Sequence, residues 1–518
     1  MGLFALAIVS SAVQSLPERP WIGAVYFYWY EWDYERKLGN WLGGVYNTPL
    51  YGYYDNRTLR DNLRSLHTAC EWGFTHFFMD YWGHPWKGEG GEPRERTVLR
   101  AAEELRRRGY DIWMSYYQDG WNFETKWFSK NISERRDTYA MLQNYVKSPV
   151  WPYLRGRPFQ MVYARNGVPK PIIDHDAFRR WLRGIYGSIE NINRDWGTSY
   201  RGFDEIEMDF GARGHLRAFS VKFAYELWAE EWGRLEGLIR KEFGLPGLSV
   251  SFDVGYGPFR GFGYADFARV FGGPHSYGGI YGRPEEMDVE RFIQAQMARR
   301  FGSVFFDHLK HAYHDWEIRV PGTGYPEEPC HFDRFWTGAL ARYAEGVLHL
   351  SWNEWWEGSN IEPTMEFGKR YCEKNLFYAT LMKTCFPSIR KWNEGAKVGV
   401  LLNDWVFLSG RGKPDELYRA IQALRALGVK FELVPECDVT VENLRKFRVF
   451  VAPACGAGFG YNANWRHIRA VLLDWLRERP GVVLVVTSDR IMRQALSLIH
   501  ISEPTRPRLI SYAVFCLK

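Results

Sequence analysis

The sequence is poor in the features that mark several protein classes. Its 518 residues include only 7 cysteines. They form no CxxC pair and no His/Cys ladder, which argues against a zinc module and leaves the redox compartment open. No set of carboxylates has metal-ligand spacing, so neither a metal nor another cofactor is expected. No apolar run reaches the roughly 18 residues that a membrane-spanning helix needs. The net charge of +6 is too dilute over this length for nucleic acid to be the main partner. At the N-terminus, MGLFALAIVSSAVQS has an apolar run and small residues where a signal peptidase would cut, but it lacks the positive n-region of an export leader. An exported and a cytoplasmic chain fit this pattern equally.

What is present is a large apolar fraction and an excess of rings. Hydrophobic residues make up 46% and charged residues 25%, enough for a sizeable core and against wholesale disorder. At roughly 100–200 residues per domain, the length implies two to four domains, or one large barrel with a smaller partner. The 24 Trp, 31 Tyr and 34 Phe make 17% of the chain. Many of these rings must lie outside the core. Exposed rings suit the apolar faces of sugars, so a carbohydrate is the expected partner.

From residue 20 to about 386, strand-like runs alternate with amphipathic helices. Strands are predicted at Ile22–Trp29, Thr75–Trp82, Asp111–Gln118, Pro158–Ala164, Leu248–Gly255, Ser276–Tyr281, Ser303–Leu309 and Gly346–Trp352. Between them the pattern predicts helices at Arg57–Trp72, Arg94–Arg108, Glu134–Lys147, Phe219–Phe243, Pro284–Phe301 and Arg334–Ala344, with Tyr371–Cys385 last. In Arg94–Arg108, the residues Val98, Leu99, Ala102 and Leu105 make one apolar stripe and Gly109 stops the helix. Eight strand–helix units describe an α/β fold, a (β/α)8 TIM barrel, over 20–390. A second pattern over 396–490, with VGVLLND, KFELVPE, VFVAPAC and VVLVVTSD separated by helices, describes a partial doubly wound parallel α/β domain. Cys455 in that segment has no His/Glu pair following in register, so it reads as a buried structural cysteine rather than a nucleophile.

Catalytic residues of such barrels occupy the C-terminal ends of the strands. The last predicted strand runs into Ser351-Trp352-Asn353-Glu354-Trp355-Trp356-Glu357-Gly358-Ser359-Asn360-Ile361-Glu362-Pro363. A turn-like backbone puts i and i+3 on one side about 5–6 Å apart, near the separation of paired glycosidase carboxylates. Glu354 and Glu357 are therefore the expected catalytic pair. Neighbouring Trp raises a carboxyl pKa by desolvation, which suits a general acid at neutral pH.

WNEWWEGSNIEP resembles the signature of glycoside hydrolase family 99, the family of endo-mannosidases and their relatives. The stretches Tyr28-Trp29-Tyr30, Pro49-Leu50-Tyr51-Gly52-Tyr53-Tyr54-Asp55, Asp80-Tyr81-Trp82-Gly83 and Tyr153-Leu154-Arg155-Gly156-Arg157-Pro158 agree with it. The resemblance covers roughly residues 20–386. It implies a retaining hydrolase of a mannose-type or related glycan, in which the sugar's own 2-hydroxyl attacks C1 and gives a 1,2-anhydro sugar. Glu354 would deprotonate that hydroxyl; Glu357 would protonate the leaving oxygen and then activate water. Two departures bear on the sugar: Tyr116-Tyr117-Gln118-Asp119 stands where the family has Glu-Pro-Tyr, and His311-Ala312-Tyr313-His314-Asp315 replaces Pro-Gly-Tyr-Asp-Asp.

Phe178–Ile206 instead resembles the strand-four insert of family 42 β-galactosidases, which also carry a glutamine-amidotransferase-like domain similar to the second pattern here. Their acid/base glutamate after strand four has no counterpart in Tyr163-Ala164-Arg165-Asn166-Gly167. A glycan-binding barrel without catalysis and a polysaccharide-biosynthesis barrel are the non-hydrolytic alternatives. The tail Leu496–Lys518 resembles a translated sequencing adapter, which implies that these residues, Cys516 included, are not native.

Around the two glutamates, the expected sugar contacts are Tyr30, Asp80, Trp82, His84, His275, Tyr277, Asn353, Trp355, Trp356 and Glu362. His349 also lies near a strand end. Asn56-Arg57-Thr58 and Asn131-Ile132-Ser133 match glycosylation acceptors. The second domain is the expected route to any homo-oligomer.

Overall fold

The computed structural model describes residues 18–81, 86–119, 136–163, 173–253, 263–271, 273–275, 284–314, 324–325, 329–410, 414–453 and 462–486. Eight parallel strands close into a barrel: β1 Trp21–Tyr26, β2 His76–Tyr81, β3 Trp113–Asp119, β4 Arg157–Tyr163, β5 Ser249–Asp253, β6 Pro274–His275, β7 Phe306–Leu309 and β8 Gly346–His349. Each pairs with its successor, and β8 returns to β1 with Trp21 opposite Gly346. The strand predictions hold to within a few residues except the sixth. That strand is two residues, Pro274–His275, and 276–283 lie outside the described residues.

β1 reads WIGAVY and is buried throughout, because a barrel strand is covered on both faces. Trp21 and Val25 point inward with Phe78, Phe159, Phe306 and Leu348. Ile22, Ala24 and Tyr26 point out into the helix layer. Gly23 is required between them, since a Cβ there would lie 2.8 Å from the Phe78 ring and 3.0 Å from the Val347 carbonyl oxygen.

The surrounding helices are α1 Leu59–Glu71, α2 Arg94–Arg107, α3 Arg136–Asn144, α4 His175–Tyr186, α5 Ile189–Trp196, α6 His215–Phe243, α7 Tyr264–Phe271, α8 Pro284–Arg300, α9 Pro329–Ala341 and α10 Arg370–Arg390. Thr58 caps α1 by accepting from the Asp61 amide. The apolar stripe of α2 is buried as its spacing requires, and Gly109 ends the run at φ +95°. α4 and α5 form an added pair after β4, and Phe178 and Trp181 of α4 pack on Phe219 and Phe223 of α6.

Beyond α10, four parallel strands form a second sheet: β9 Val398–Leu402, β10 Phe431–Pro435, β11 Val449–Ala452 and β12 Val483–Val486, in the order β10-β9-β11-β12. Helices α11 Asp404–Leu408, α12 Asp415–Ala426 and α13 Asn462–Glu478 follow strands of this sheet. One face packs on the barrel's outer layer, where Ala265, Val289, Phe292 and Ile293 share a core with Val400, Leu402, Leu417 and Phe431. Arg300 pairs with Glu432 and Asp438 across this boundary, and Arg425 pairs with Asp288. Cys455 and 496–518 lie outside the described residues.

Candidate active site

The chain leaves β8 at His349 and folds back on itself. The Leu350–Ser351 peptide is cis. The Trp352 amide donates to the Val25 carbonyl at 2.9 Å, while the amides of Ile361 and Glu362 donate to the Trp352 carbonyl at 3.1 and 2.9 Å. The loop is thus tied to β1 and to its own return segment. Asn353 completes the tie: Oδ1 accepts from the Phe27 amide at 2.8 Å, and Nδ2 donates to the Phe27 carbonyl at 2.7 Å and the Tyr54 hydroxyl at 3.0 Å. That hydroxyl also accepts from Trp355 Nε1 at 3.2 Å and donates to Glu362 Oε2 at 2.7 Å. Its one proton and two lone pairs are all engaged.

This frame sets Glu354 in a protein wall. Its amide donates to Ser351 Oγ at 2.5 Å, and Oε1 accepts from the Tyr30 hydroxyl at 3.2 Å and the Trp356 amide at 3.1 Å. Only 3% of Glu354 is exposed. Burial pushes its carboxyl well above the usual range, the charges of Glu357 and Asp80 add to the rise, and the Trp356 and Tyr30 hydrogen bonds offset part of it. Asp80, buried at the end of β2, is therefore close enough to be felt at Glu354. Glu357 is half-buried, and its Oε2 lies 3.8 Å from Lys310 Nζ. Lys310 directly follows β7, is buried, and sits 3.6 Å over the centroid of the Tyr313 ring.

The sequence-predicted residues divide into three groups. Asp80 lies near the C-terminal end of β2 and Glu354 and Glu357 follow β8, and the charges of Asp80 and Glu357 both raise the Glu354 carboxyl. Trp356 is half-buried and stacks on Trp29 with centroids 5.7 Å apart and planes at 15°, giving the mouth a partly open aromatic face. The second group was expected against sugar and instead forms the frame. Tyr30 is fully buried, with its hydroxyl shared between Glu354 and the Trp355 amide at 2.8 Å. Asn353 and Trp355 are fully buried with their polar atoms committed to Phe27 and Tyr54. Glu362 is buried, accepting from Tyr54 and from Ser65 Oγ at 3.1 Å, and desolvation raises its carboxyl to about 7. The polar atoms of these four are bonded to one another and to Phe27, Tyr54, Ser65 and Glu354, so within the protein they hold the Glu354 loop in place.

His275 lies inside the barrel, fully buried, with Nδ1 3.0 Å from Ser251 Oγ and its ring 5.6 Å from that of Tyr117. Burial holds its pKa down to about 3, so it is neutral at ordinary pH, and its Nε2 has no hydrogen-bond partner among the described residues. His349 points outward, packed between Phe74, Phe332 and Trp336. Trp82, His84 and Tyr277 lie outside the described residues. Asn56 is fully buried and bonded to Tyr26 and Asn62, which removes it as a glycan acceptor; Asn131 is outside the described residues.

Sequence reasoning missed Lys310 and the part played by Tyr54. Lys310 had a positional signal, since it directly follows the seventh strand. Nothing in the sequence marks Tyr54 as the hub of the frame.

Among the described residues, no group of three or more His, Cys, Asp or Glu could hold a metal ion, and no helix is long and apolar enough to cross a membrane. The arrangement is two neighbouring carboxylates of unequal environment, a third acid nearby, one lysine and an aromatic face. It can move protons at a bound hydroxyl or glycosidic oxygen.

No protein-family model and no curated protein matches this sequence. Solved structures do. A β-galactosidase from Rahnella sp. R3 is 13% identical, covering 92% of this chain and 72% of its own, with a TM-score of 0.59. A β-galactosidase from Bacillus circulans sp. alkalophilus is 14% identical over 90% of this chain and 71% of its own, with a TM-score of 0.57. The GH99 endo-α-mannosidase from Bacteroides thetaiotaomicron is 13% identical over 71% of this chain and 99% of its own, with a TM-score of 0.48. The two galactosidase likenesses establish the architecture, a TIM barrel of the α/β class followed by a parallel sheet.

Proposed function

We propose that this chain is a glycoside hydrolase acting with retention on a mannose-type or related glycan, with Glu354 and Glu357 as its catalytic pair. The observation that carries the reading is Glu354, buried just beyond the C-terminal end of β8 and bonded to the Tyr30 hydroxyl and the Trp356 amide, with the charges of Glu357 and Asp80 felt at its carboxyl. Barrels of this class work from that end. An acid and a base drawn from one short turn suit a route in which the sugar supplies its own nucleophile. Glu354 takes the proton of the 2-hydroxyl while that oxygen bonds to C1. The bond from C1 to the leaving oxygen breaks, and Glu357 protonates that oxygen. Glu357 then takes a proton from water as that oxygen bonds to C1, the C1–O2 bond of the 1,2-anhydro sugar breaks, and Glu354 returns its proton to O2. Asp80 and the Trp29–Trp356 face are the proposed sugar contacts, together with His275, Trp82, His84 and Tyr277.

The test is a hydrolysis screen over defined glycans with wild type, Glu354→Gln and Glu357→Gln. Loss of the proton donor in Glu357→Gln should slow cleavage of poor leaving groups about 10²–10⁴-fold with binding retained. A wild-type rate in that variant overturns the assignment. The α4–α5 pair after β4, which falls on the segment resembling the family 42 insert, supports a second reading: a β-galactosidase with a carboxylate nucleophile. A 2-fluoro sugar with a good leaving group separates the two. The 2-hydroxyl route gives no reaction and no adduct, whereas a carboxylate nucleophile gives a glycosyl ester that adds one sugar to the intact mass.

A further inference from the structure

The two glutamates differ in which neighbour compensates their charge. Glu354 is enclosed, and among the described residues the groups acting most strongly on its carboxyl are acidic or neutral: Glu357, Asp80, the Trp356 amide and the Tyr30 hydroxyl. Glu357 faces a cation, Lys310, from the adjoining strand end. Lys310 is itself 7% exposed. The Tyr313 ring covers one side of its ammonium, and His308, two residues earlier on β7, lies within its electrostatic reach. Burial and the charges of Arg291 and Lys310 hold His308 neutral, so it cannot rival Lys310 as a cation. The charge of Glu357 raises the Glu354 carboxyl, so the pair shares one proton more readily than it carries two charges.

We infer that Lys310 is a positioning residue that anchors the pair's negative charge on Glu357, leaving the shared proton on Glu354 in the free protein. The inference rests on the reading of Glu354 and Glu357 as the working pair. It has a consequence for the 2-hydroxyl route. That route needs Glu354 ionised and Glu357 protonated, the reverse of the resting arrangement. One proton must therefore pass from Glu354 to Glu357 as sugar enters, and the sugar's 2-hydroxyl, donating to Glu354, is the group that favours the exchange. Lys310 sets how far the equilibrium lies from the competent form.

The test is a pH titration of the full-length protein labelled with carboxyl-13C glutamate, with the two signals assigned by their loss in Glu354→Gln and Glu357→Gln. In wild type, Glu357 should give a carboxylate signal and Glu354 a protonated one between about pH 5 and 8. Lys310→Met should raise the Glu357 midpoint by about one pH unit, a tenfold change in its proton affinity, and Lys310→Arg should restore it. The acid limb of the kcat/KM profile should move with it. A Glu357 signal that is protonated at pH 6 in wild type overturns the inference, as does an unchanged midpoint in a folded Lys310→Met. The wild-type titration needs no lysine variant, so a misfolded Lys310→Met leaves the test intact. A protein that titrates as stated and cleaves no glycan refutes the glycosidase reading alone. Cleavage that depends on Glu357, with the opposite charge order, refutes the role of Lys310 alone.

Discussion

Replacing Tyr30 with Phe removes one oxygen and changes the shape of the site hardly at all. That oxygen has two partners. It donates to Glu354 Oε1 at 3.2 Å and accepts from the Trp355 amide at 2.8 Å. Tyr30 is fully buried and packs on Trp41 with ring centroids 4.3 Å apart, so the phenylalanine ring keeps its contacts. The Trp355 amide is then left buried without its acceptor, at a cost of about 1–3 kcal/mol. Glu354 keeps the Trp356 amide but loses the bond that favours its charged form, so its carboxyl rises further. Tyr30→Phe should thus lower stability by about 1–3 kcal/mol in urea titrations followed by tryptophan fluorescence. On a cleaved glycan it should also move the pH profile limb that reports Glu354 upward. A loss below about 0.5 kcal/mol with an unmoved profile would refute the claim that this hydroxyl supports the Glu354 loop.

Three further outcomes are expected. Glu362 has an ordinary value of 4.5 and a folded value of about 7, so the folded state holds its proton more tightly. Its contribution is whole below about pH 4.5 and is lost as pH rises through about 7, which makes Glu362→Gln more stable relative to wild type at pH 8 than at pH 5 by about 3 kcal/mol. Equal urea midpoint differences at the two pH values would contradict this. Asp307 is fully buried between Arg291 Nη1 at 3.0 Å and Arg342 Nε at 2.6 Å, so Asp307→Asn should cost about 3–5 kcal/mol in thermal or urea unfolding by taking this charge from buried Arg291, while Arg342 keeps Asp288 at 2.7 Å. Trp356→Ala should raise KM for oligosaccharides about tenfold, near 1.4 kcal/mol, with little change in kcat, because the half-buried ring stacks on Trp29 outside the proposed proton-transfer pair.

The barrel was legible because its signals are local. Strand runs such as WIGAVY and HFFMDY are buried on both faces and therefore apolar without alternation, and stripes such as Val98, Leu99, Ala102 and Leu105 repeat at helical spacing. The sixth predicted strand, Ser276–Tyr281, lies outside the described residues, and Pro274–His275 just before it is too short to carry a period. The second sheet was legible for the same reason as the first, since its strands are short apolar runs bounded by helices.

The site was only half legible. The sequence alone determined that two glutamates three residues apart follow the last barrel strand among tryptophans, since spacing along one turn is a local property. Which of the surrounding residues touch a ligand depends on contacts between segments about 300 residues apart, such as Asn353 with Phe27 and Tyr54 with Glu362. Residue type cannot report this: Asn, Trp and Glu beside a catalytic pair serve equally as sugar contacts or as a frame, and only the direction of each side chain decides. The same holds for charge. Glu354 and Glu357 are chemically identical in the sequence, and tertiary structure separates them by burying one beside Asp80 and setting the other against Lys310 from a different strand.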